Sequence, residues 1–230
     1  MLSISNVNQY YGGSHILRDV SFEVTQGTVT TVLGRNGVGK TTLLKCLVGL
    51  LPIRSGGLQF AGRDIAGLRP YERARLGIGY VPQGREIFPQ LTVGENLEVG
   101  LGLGRGKVKK VPDLIFEMFP VLKQMLRRRG GDLSGGQQQQ LAMGRALALD
   151  PKLLILDEPT EGIQPNIVAE IGDVIARLCE EGVTVLFVEQ KLAFARRVAR
   201  SFVILDRGHA VADGAISELT DDLVRRHLTV

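Results

Sequence analysis

The segment Gly34-Arg35-Asn36-Gly37-Val38-Gly39-Lys40-Thr41 constrains this chain more than any other. It follows a β-branched run at 28–33 (TVTTVL) and opens a helical pattern from Lys40 to about Leu50. Between a strand and a helix, the spacing G-x-x-x-x-G-K-[ST] makes a phosphate cradle. Its glycines let the backbone bend until several N–H groups point inward at phosphate oxygens. The helix N-terminus adds partial positive charge. Lys40 is expected to reach the β- and γ-phosphates of a nucleotide, and the Thr41 hydroxyl to hold Mg²⁺. Thr42 is expected to start the helix and touch a phosphate.

The rest of the chain reads as an α/β protein. Residues 2–7 and 16–24 read as strands joined by a Tyr-Tyr-Gly-Gly turn, with further strands near 57–60 and 78–82. From 84 to 150 the texture is helical, with helices expected near 93–101, 112–126 and 137–149. After Pro151 apolar runs at 153–156, 183–188 and 202–206 read as buried strands. Between them, 166–181 has helical apolar spacing with Pro165 at its start. Strands alternating with helices imply a mostly parallel sheet. The expectation is one domain over 1–230: an α/β core from 1–83 and 151–230, with an antiparallel β portion at the N-terminus and a helical subdomain at 84–150.

Leu153-Leu154-Ile155-Leu156-Asp157-Glu158 is a buried strand ending in two carboxylates. In doubly wound sheets ligands sit beyond the carboxyl ends of the strands. Asp157 is therefore expected to face Mg²⁺, and Glu158 to orient or deprotonate a water attacking the γ-phosphate.

Composition limits the alternatives. The chain has 28 Lys and Arg against 24 Asp and Glu, a mild basic excess compatible with a phosphate-bearing partner. Aromatic residues make up 5% and Trp is absent, which argues against a stacking platform for single-stranded nucleic acid. No apolar stretch approaches the roughly 18 residues of a membrane span. The beginning, MLSISNVNQYYGG, lacks the basic head and apolar core of a secretory signal. Cys46 and Cys179 lie far apart without metal-ligand spacing, as expected of packed thiols in a reducing compartment.

A second glycine cradle, Leu133-Ser134-Gly135-Gly136-Gln137, precedes a helix but lacks a lysine. LSGGQ, after the phosphate loop and before LLILDEPT, resembles the ATP-binding subunits of ABC transporters over essentially the whole chain. The resemblance implies an ATPase with ATP and Mg²⁺ as cofactors. It also implies a head-to-tail dimer in which each ATP lies between one subunit's phosphate loop and the other's LSGGQ. Ser134, Gly135, Gly136 and Gln137 would then contact the nucleotide of a partner, Ser134 and Gly136 at its γ-phosphate. Gln83, in Tyr80-Val81-Pro82-Gln83, matches the family glutamine that reaches Mg²⁺. Tyr11 matches the aromatic residue stacked on adenine, with Tyr10 as the alternative.

Two positions depart from the family pattern. Gln164 stands where an Asp usually contacts the opposite subunit, and Gln190, in Val188-Glu189-Gln190, replaces the switch histidine. Gln190 is expected to keep a phosphate-directed hydrogen bond without the histidine's acid–base behaviour, leaving catalysis to Glu158, Gln190 and Lys40. His15, His209 and His227 lie elsewhere and read as surface or packing residues. EPTEGIQP and VEQ resemble the importers for branched-chain amino acids. Within that branch NQYYGGSHILR, YVPQGREIFPQLTVGEN, RRRGGDLSGGQQQQLA and VRRHL look most like the urea-uptake members.

The resemblance implies a peripheral subunit on the cytoplasmic face of the inner membrane. Its partners would be membrane permease subunits, a second homologous ATPase and a receptor acting through the permease. The alternatives are the same motor for branched-chain amino acids, or a soluble ABC ATPase working on nucleic acid or ribosomes. Only a short stretch separates Gln83 from LSGGQ, whereas DNA-repair relatives carry a long coiled-coil insertion there. Arg105, Lys107, Lys109, Lys110, Lys123, Arg127, Arg128 and Arg129 form a basic stretch. It reads either as a contact with a membrane complex or its anionic lipids, or as a solvated face.

Overall fold

A computed structural model describes residues 1–103 and 110–228. Strands β1 (Leu2–Tyr11), β2 (Ser14–Val24), β4 (Ser55–Phe60) and β5 (Arg63–Asp64) form an antiparallel sheet in the order β2-β1-β4-β5. The second sheet holds β3 (Val29–Leu33), β6 (Ile78–Val81), β7 (Leu153–Asp157), β8 (Thr184–Glu189), β9 (Ser201–Asp206) and β10 (His209–Ala215). Its order is β10-β9-β3-β8-β7-β6, parallel throughout except for the antiparallel edge strand β10.

Period-2 alternation divides the larger sheet between two cores. Leu153 and Ile155 of β7 face the side covered by the antiparallel sheet and α1 (Lys40–Leu47), where they join Leu17, Leu44 and Phe60. Leu154 and Leu156 face the other side, with Phe187 and the helices α3 (Val93–Leu103), α6 (Gly135–Leu147) and α7 (Pro165–Glu180). Strands covered on both faces are predominantly apolar, and β7 is buried along its whole length, apolar from Leu153 to Leu156 before Asp157 at its ligand-facing end. Helix α7 starts with Pro165 in its first turn and buries Ile171, Val174, Ile175 and Leu178 at helical spacing.

The expected turn Tyr-Tyr-Gly-Gly is shorter: β1 runs through Tyr11, and Gly12, at φ +55°, makes the bend with Gly13. The expected helix 112–126 is two helices, α4 (Asp113–Met118) and α5 (Pro120–Gln124). Pro120 disfavours helical backbone at Phe119, whose φ and ψ of −131° and 72° break the run while its ring enters the core. Helices α2 (Pro70–Leu76), α8 (Leu192–Val198) and α9 (Asp221–His227), and strands β5 and β10, are not signalled by the sequence patterns above.

Lys110, Lys123, Arg127, Arg128 and Arg129 are all exposed. Arg105, Lys107 and Lys109 lie outside the described residues.

Candidate nucleotide site

The parallel strands deliver the predicted residues to one edge of the sheet. Register pairs Leu33 with Glu189, Asp157 with Val188, and Val81 with Leu156. The phosphate loop, Gln83, Asp157, Glu158 and Gln190 therefore all emerge from strand ends at the same level, the place where such sheets bind ligands.

Close approach sets the loop's glycines. A Cβ on Gly34 would lie 2.5 Å from the Leu205 carbonyl oxygen and 2.8 Å from the Val38 side chain. Gly39 caps α1 in the left-handed region at φ +109°, where side chains are strained. Lys40 Nζ is buried and donates to the carbonyls of Gly34 at 2.8 Å and Arg35 at 2.9 Å. It lies 3.7 Å from Glu158 Oε1. Burial lowers the pKa of Lys40, opposed by the charges of Glu158 and Asp157.

Thr41 Oγ1 donates to Asp157 Oδ1 at 3.3 Å, and the Tyr80 hydroxyl donates to Asp157 Oδ2 at 3.4 Å. Burial pushes the Asp157 carboxyl up to about 6, helped by the charge of Glu158. The hydrogen bonds from Thr41 and Tyr80 and the charge of Lys40 pull the other way. Burial, with the charge of Asp157, also raises Tyr80.

Glu158 follows with left-handed backbone at φ +48°, a conformation costing a non-glycine residue of order 1 kcal/mol and concentrated at functional sites. The Glu158 N–H donates to the Val188 carbonyl at 3.1 Å. Its carboxylate accepts from Gln190 Nε2 at 2.7 Å and, loosely, from Gln83 Nε2 at 3.5 Å. Gln83 Nε2 also donates to Glu161 Oε2 at 2.9 Å.

Tyr11, Asn36, Gly37, Gly39, Lys40, Thr41, Thr42, Gln83 and Glu158 share one cavity of about 280 Å³. Gly34 and Arg35 hold the lysine, and Asp157 sits against Thr41. Tyr10 turns away: its ring stacks on His15, centroids 4.0 Å apart and planes within 8°. Among the other histidines, His227 pairs with Asp206 at 3.0 Å and His209 is exposed.

Ser134, Gly135, Gly136 and Gln137 line a second cavity of about 520 Å³ with Gly162, Gln164 and Ile167. Ser134 caps α6 by accepting from the Gln137 N–H at 3.3 Å, and Gln137 Oε1 accepts from the Ser134 N–H at 2.9 Å. The two cavities share no lining residue. One holds a lysine and a carboxylate, the other a glycine-rich helix start.

Three residues near the site were not anticipated: Thr160, Glu161 and Glu189. The available signal, for Glu189 alone, is a glutamate closing the apolar run 185–188 at a ligand-facing strand end.

The family profile described as ABC transporter matches residues 17–161. The chain belongs to this family. It is an ATP-binding cassette and, like its homologues, an ATPase. It is 42% identical over 227 residues to the high-affinity branched-chain amino acid transport ATP-binding protein BraG of Pseudomonas aeruginosa, covering 98% of this chain and 97% of the relative. The probable branched-chain amino acid transport ATP-binding protein LivF of Archaeoglobus fulgidus is 37% identical, with 96% and 94% covered. A nucleotide-free ATP-binding cassette from an ABC transporter superposes with a TM-score of 0.84 at 28% identity, covering 99% of this chain and 94% of that one. A dimeric cassette in a post-hydrolysis state bound to ADP and Pi gives 0.85 at 26% identity, with 94% and 99% covered.

Proposed function

We propose that this cassette is one of two paired ATPase subunits driving import of branched-chain amino acids. The division of phosphate-binding groups between two non-overlapping cavities carries the motor reading. One chain cannot complete a site with groups on separate surfaces, so two chains packed head to tail would complete it. The dimeric relative bound to ADP and Pi supports an assembly of two cassettes.

In the proposed closed state Tyr11 stacks on adenine and Lys40 holds the β- and γ-phosphates. The loop N–H groups from Gly34 to Thr42 cradle the phosphate oxygens. Ser134 and Gly136 of a partner close on the γ-phosphate, flanked by Gly135 and Gln137. Thr41, Gln83 and Asp157 form an oxygen donor set suited to Mg²⁺, which takes one or two carboxylates plus phosphates. The Thr41 and Asp157 oxygens already lie 3.3 Å apart. The metal would neutralise charge on the β- and γ-phosphates. Glu158 takes a proton from the attacking water as its oxygen bonds to the γ-phosphorus and the bond to the ADP oxygen breaks.

The names of the relatives support branched-chain amino acids over the urea suggested by NQYYGGSHILR and VRRHL. None of the described helices is long and apolar enough to cross a membrane. In the proposed importer the motor acts peripherally, at the cytoplasmic face, through separate permease subunits and a receptor. Tagged chain purified from its own membranes should bring down hydrophobic subunits and a second cassette. In the reconstituted complex, receptor loaded with leucine should raise ATP turnover and receptor with urea should not. The opposite pattern would reverse the substrate, and isolation without hydrophobic subunits would remove the importer.

A further inference from the structure

Glu189 is a carboxylate with 3% of its surface exposed, at the end of β8 and beside the site's other acids. A buried carboxylate is costly unless its lone pairs are satisfied. Here they are. Oε1 accepts the backbone N–H groups of Gln190 at 2.8 Å and Lys191 at 3.2 Å. Oε2 accepts the hydroxyl of fully buried Thr160 at 2.6 Å. Lys191 Nζ closes the ring by donating to the Thr160 carbonyl at 2.9 Å.

This ring ties together two segments that converge on one group. Thr160 lies two residues beyond Glu158, and Gln190 is next to Glu189. Gln190 in turn donates to Glu158 Oε1 at 2.7 Å. The geometry points to Glu189 as a positioning residue for hydrolysis: it fixes the Gln190 backbone and the Thr160 turn, and so aims the Glu158 carboxylate. The inference rests on Glu158 acting on the water. It gives a physical reason for EPT and VEQ to occur together in one chain, since Thr160 and Glu189 are hydrogen-bonded partners.

The test is steady-state ATP turnover by the full chain in its working complex. Glu189→Ala should lower kcat by about 10- to 100-fold, the scale of a misplaced catalytic group, with KM for ATP unchanged. Glu189→Gln should recover most of the loss, because its amide oxygen still accepts both N–H groups and its NH₂ can donate to Thr160. Thr160→Val keeps shape, loses one hydrogen bond and should cost about threefold to tenfold. It serves as the decisive variant if Glu189→Ala does not fold. In a Glu158→Gln background, Glu189→Ala should cost nothing more, because both act through one carboxylate.

Wild-type kcat in Glu189→Ala, or in Thr160→Val where the first does not fold, overturns the inference. So does a full loss added on top of Glu158→Gln, or a loss confined to KM. Wild-type turnover in Glu158→Gln alone would instead overturn the role of Glu158 itself.

Discussion

Gln190 donates its side-chain amide to Glu158 Oε1 at 2.7 Å, and its backbone N–H to Glu189 Oε1 at 2.8 Å. Gln190, which the sequence resemblance sets in place of a histidine, is thus a neutral donor to the carboxylate beside the phosphate loop. A histidine there would change charge near pH 6.5. An amide does not titrate, so the donor persists at every physiological pH.

Removing that donor should slow hydrolysis. The Gln190 amide is directed at Glu158 rather than, as the sequence led us to expect, at the phosphate, so Gln190→Ala is expected to lower kcat by about 10- to 100-fold, the scale of a misplaced catalytic group. Gln190→His should remain active and acquire a pH dependence near neutrality that the wild type lacks. ATP turnover of both variants across pH 6 to 8 checks this. Wild-type rates in Gln190→Ala throughout would remove the position from catalysis.

Glu158→Gln keeps the shape of the site and removes the base. Lys40, Thr41 and Asp157 survive, so ATP should still bind. Turnover should fall by at least about 100-fold, the low end of general-base contributions. A dimer held together by ATP should accumulate, visible by size-exclusion chromatography in the presence of ATP. Rapid turnover without such a dimer would contradict the assignment.

A composite site can be tested by mixing defects. Ser134→Arg places bulk and charge where a partner's γ-phosphate would dock, while leaving Lys40 intact. Lys40→Ala destroys the phosphate loop and leaves Ser134 intact. Each alone should fail to hydrolyse. In the isolated chain, where two copies pair with each other, mixing them gives a dimer in which an intact loop faces an intact Ser134, and part of the activity should return. Full activity of Ser134→Arg by itself would exclude a site shared between subunits.

The phosphate-loop residues were legible in the sequence because a phosphate cradle demands particular types at fixed spacing. Replacing Gly34 brings a clash, replacing Gly39 strains its left-handed backbone, and replacing Lys40 loses a cation. Buried strands such as 153–156 were legible because two covered faces favour an unbroken apolar run. Short amphipathic elements were harder. Helix α2 buries only Arg73, whose guanidinium donates to the Cys46 and Leu47 carbonyls at the end of α1. An arginine serving as an internal cap has no hydrophobic period to reveal it. Strand β10, at the sheet edge, has no position that is fully buried. Thr160 was missed because a hydrogen bond across 29 residues leaves no local pattern, and Glu189 had only its place at a strand end to mark it.

Asp157 supplies a pH signature in the nucleotide-free protein. Its carboxyl is raised from 3.8 to about 6 in the folded state, chiefly by burial. The folded chain therefore holds this proton more tightly than the unfolded chain. The resulting stability is fully present below pH 4 and is lost as pH rises through about 6. At pH 7.5 the ionised carboxylate is buried, with only two long hydrogen bonds and the nearby Lys40 to offset its desolvation. Asp157→Asn removes the charge while its amide oxygen still accepts from Thr41. Relative to wild type, this variant should gain about 1–3 kcal/mol between pH 4 and pH 7.5, following the size of the shift. At this chain length the gain corresponds to about 2–4 °C in Tm per kcal/mol. The check is thermal unfolding of both proteins without nucleotide at the two pH values. The Tm difference should move in favour of Asp157→Asn as pH rises, while hydrolysis in the variant falls with the loss of a metal-facing carboxylate. A Tm difference that does not change with pH would mean that Asp157 titrates in the folded chain as it does in the unfolded one.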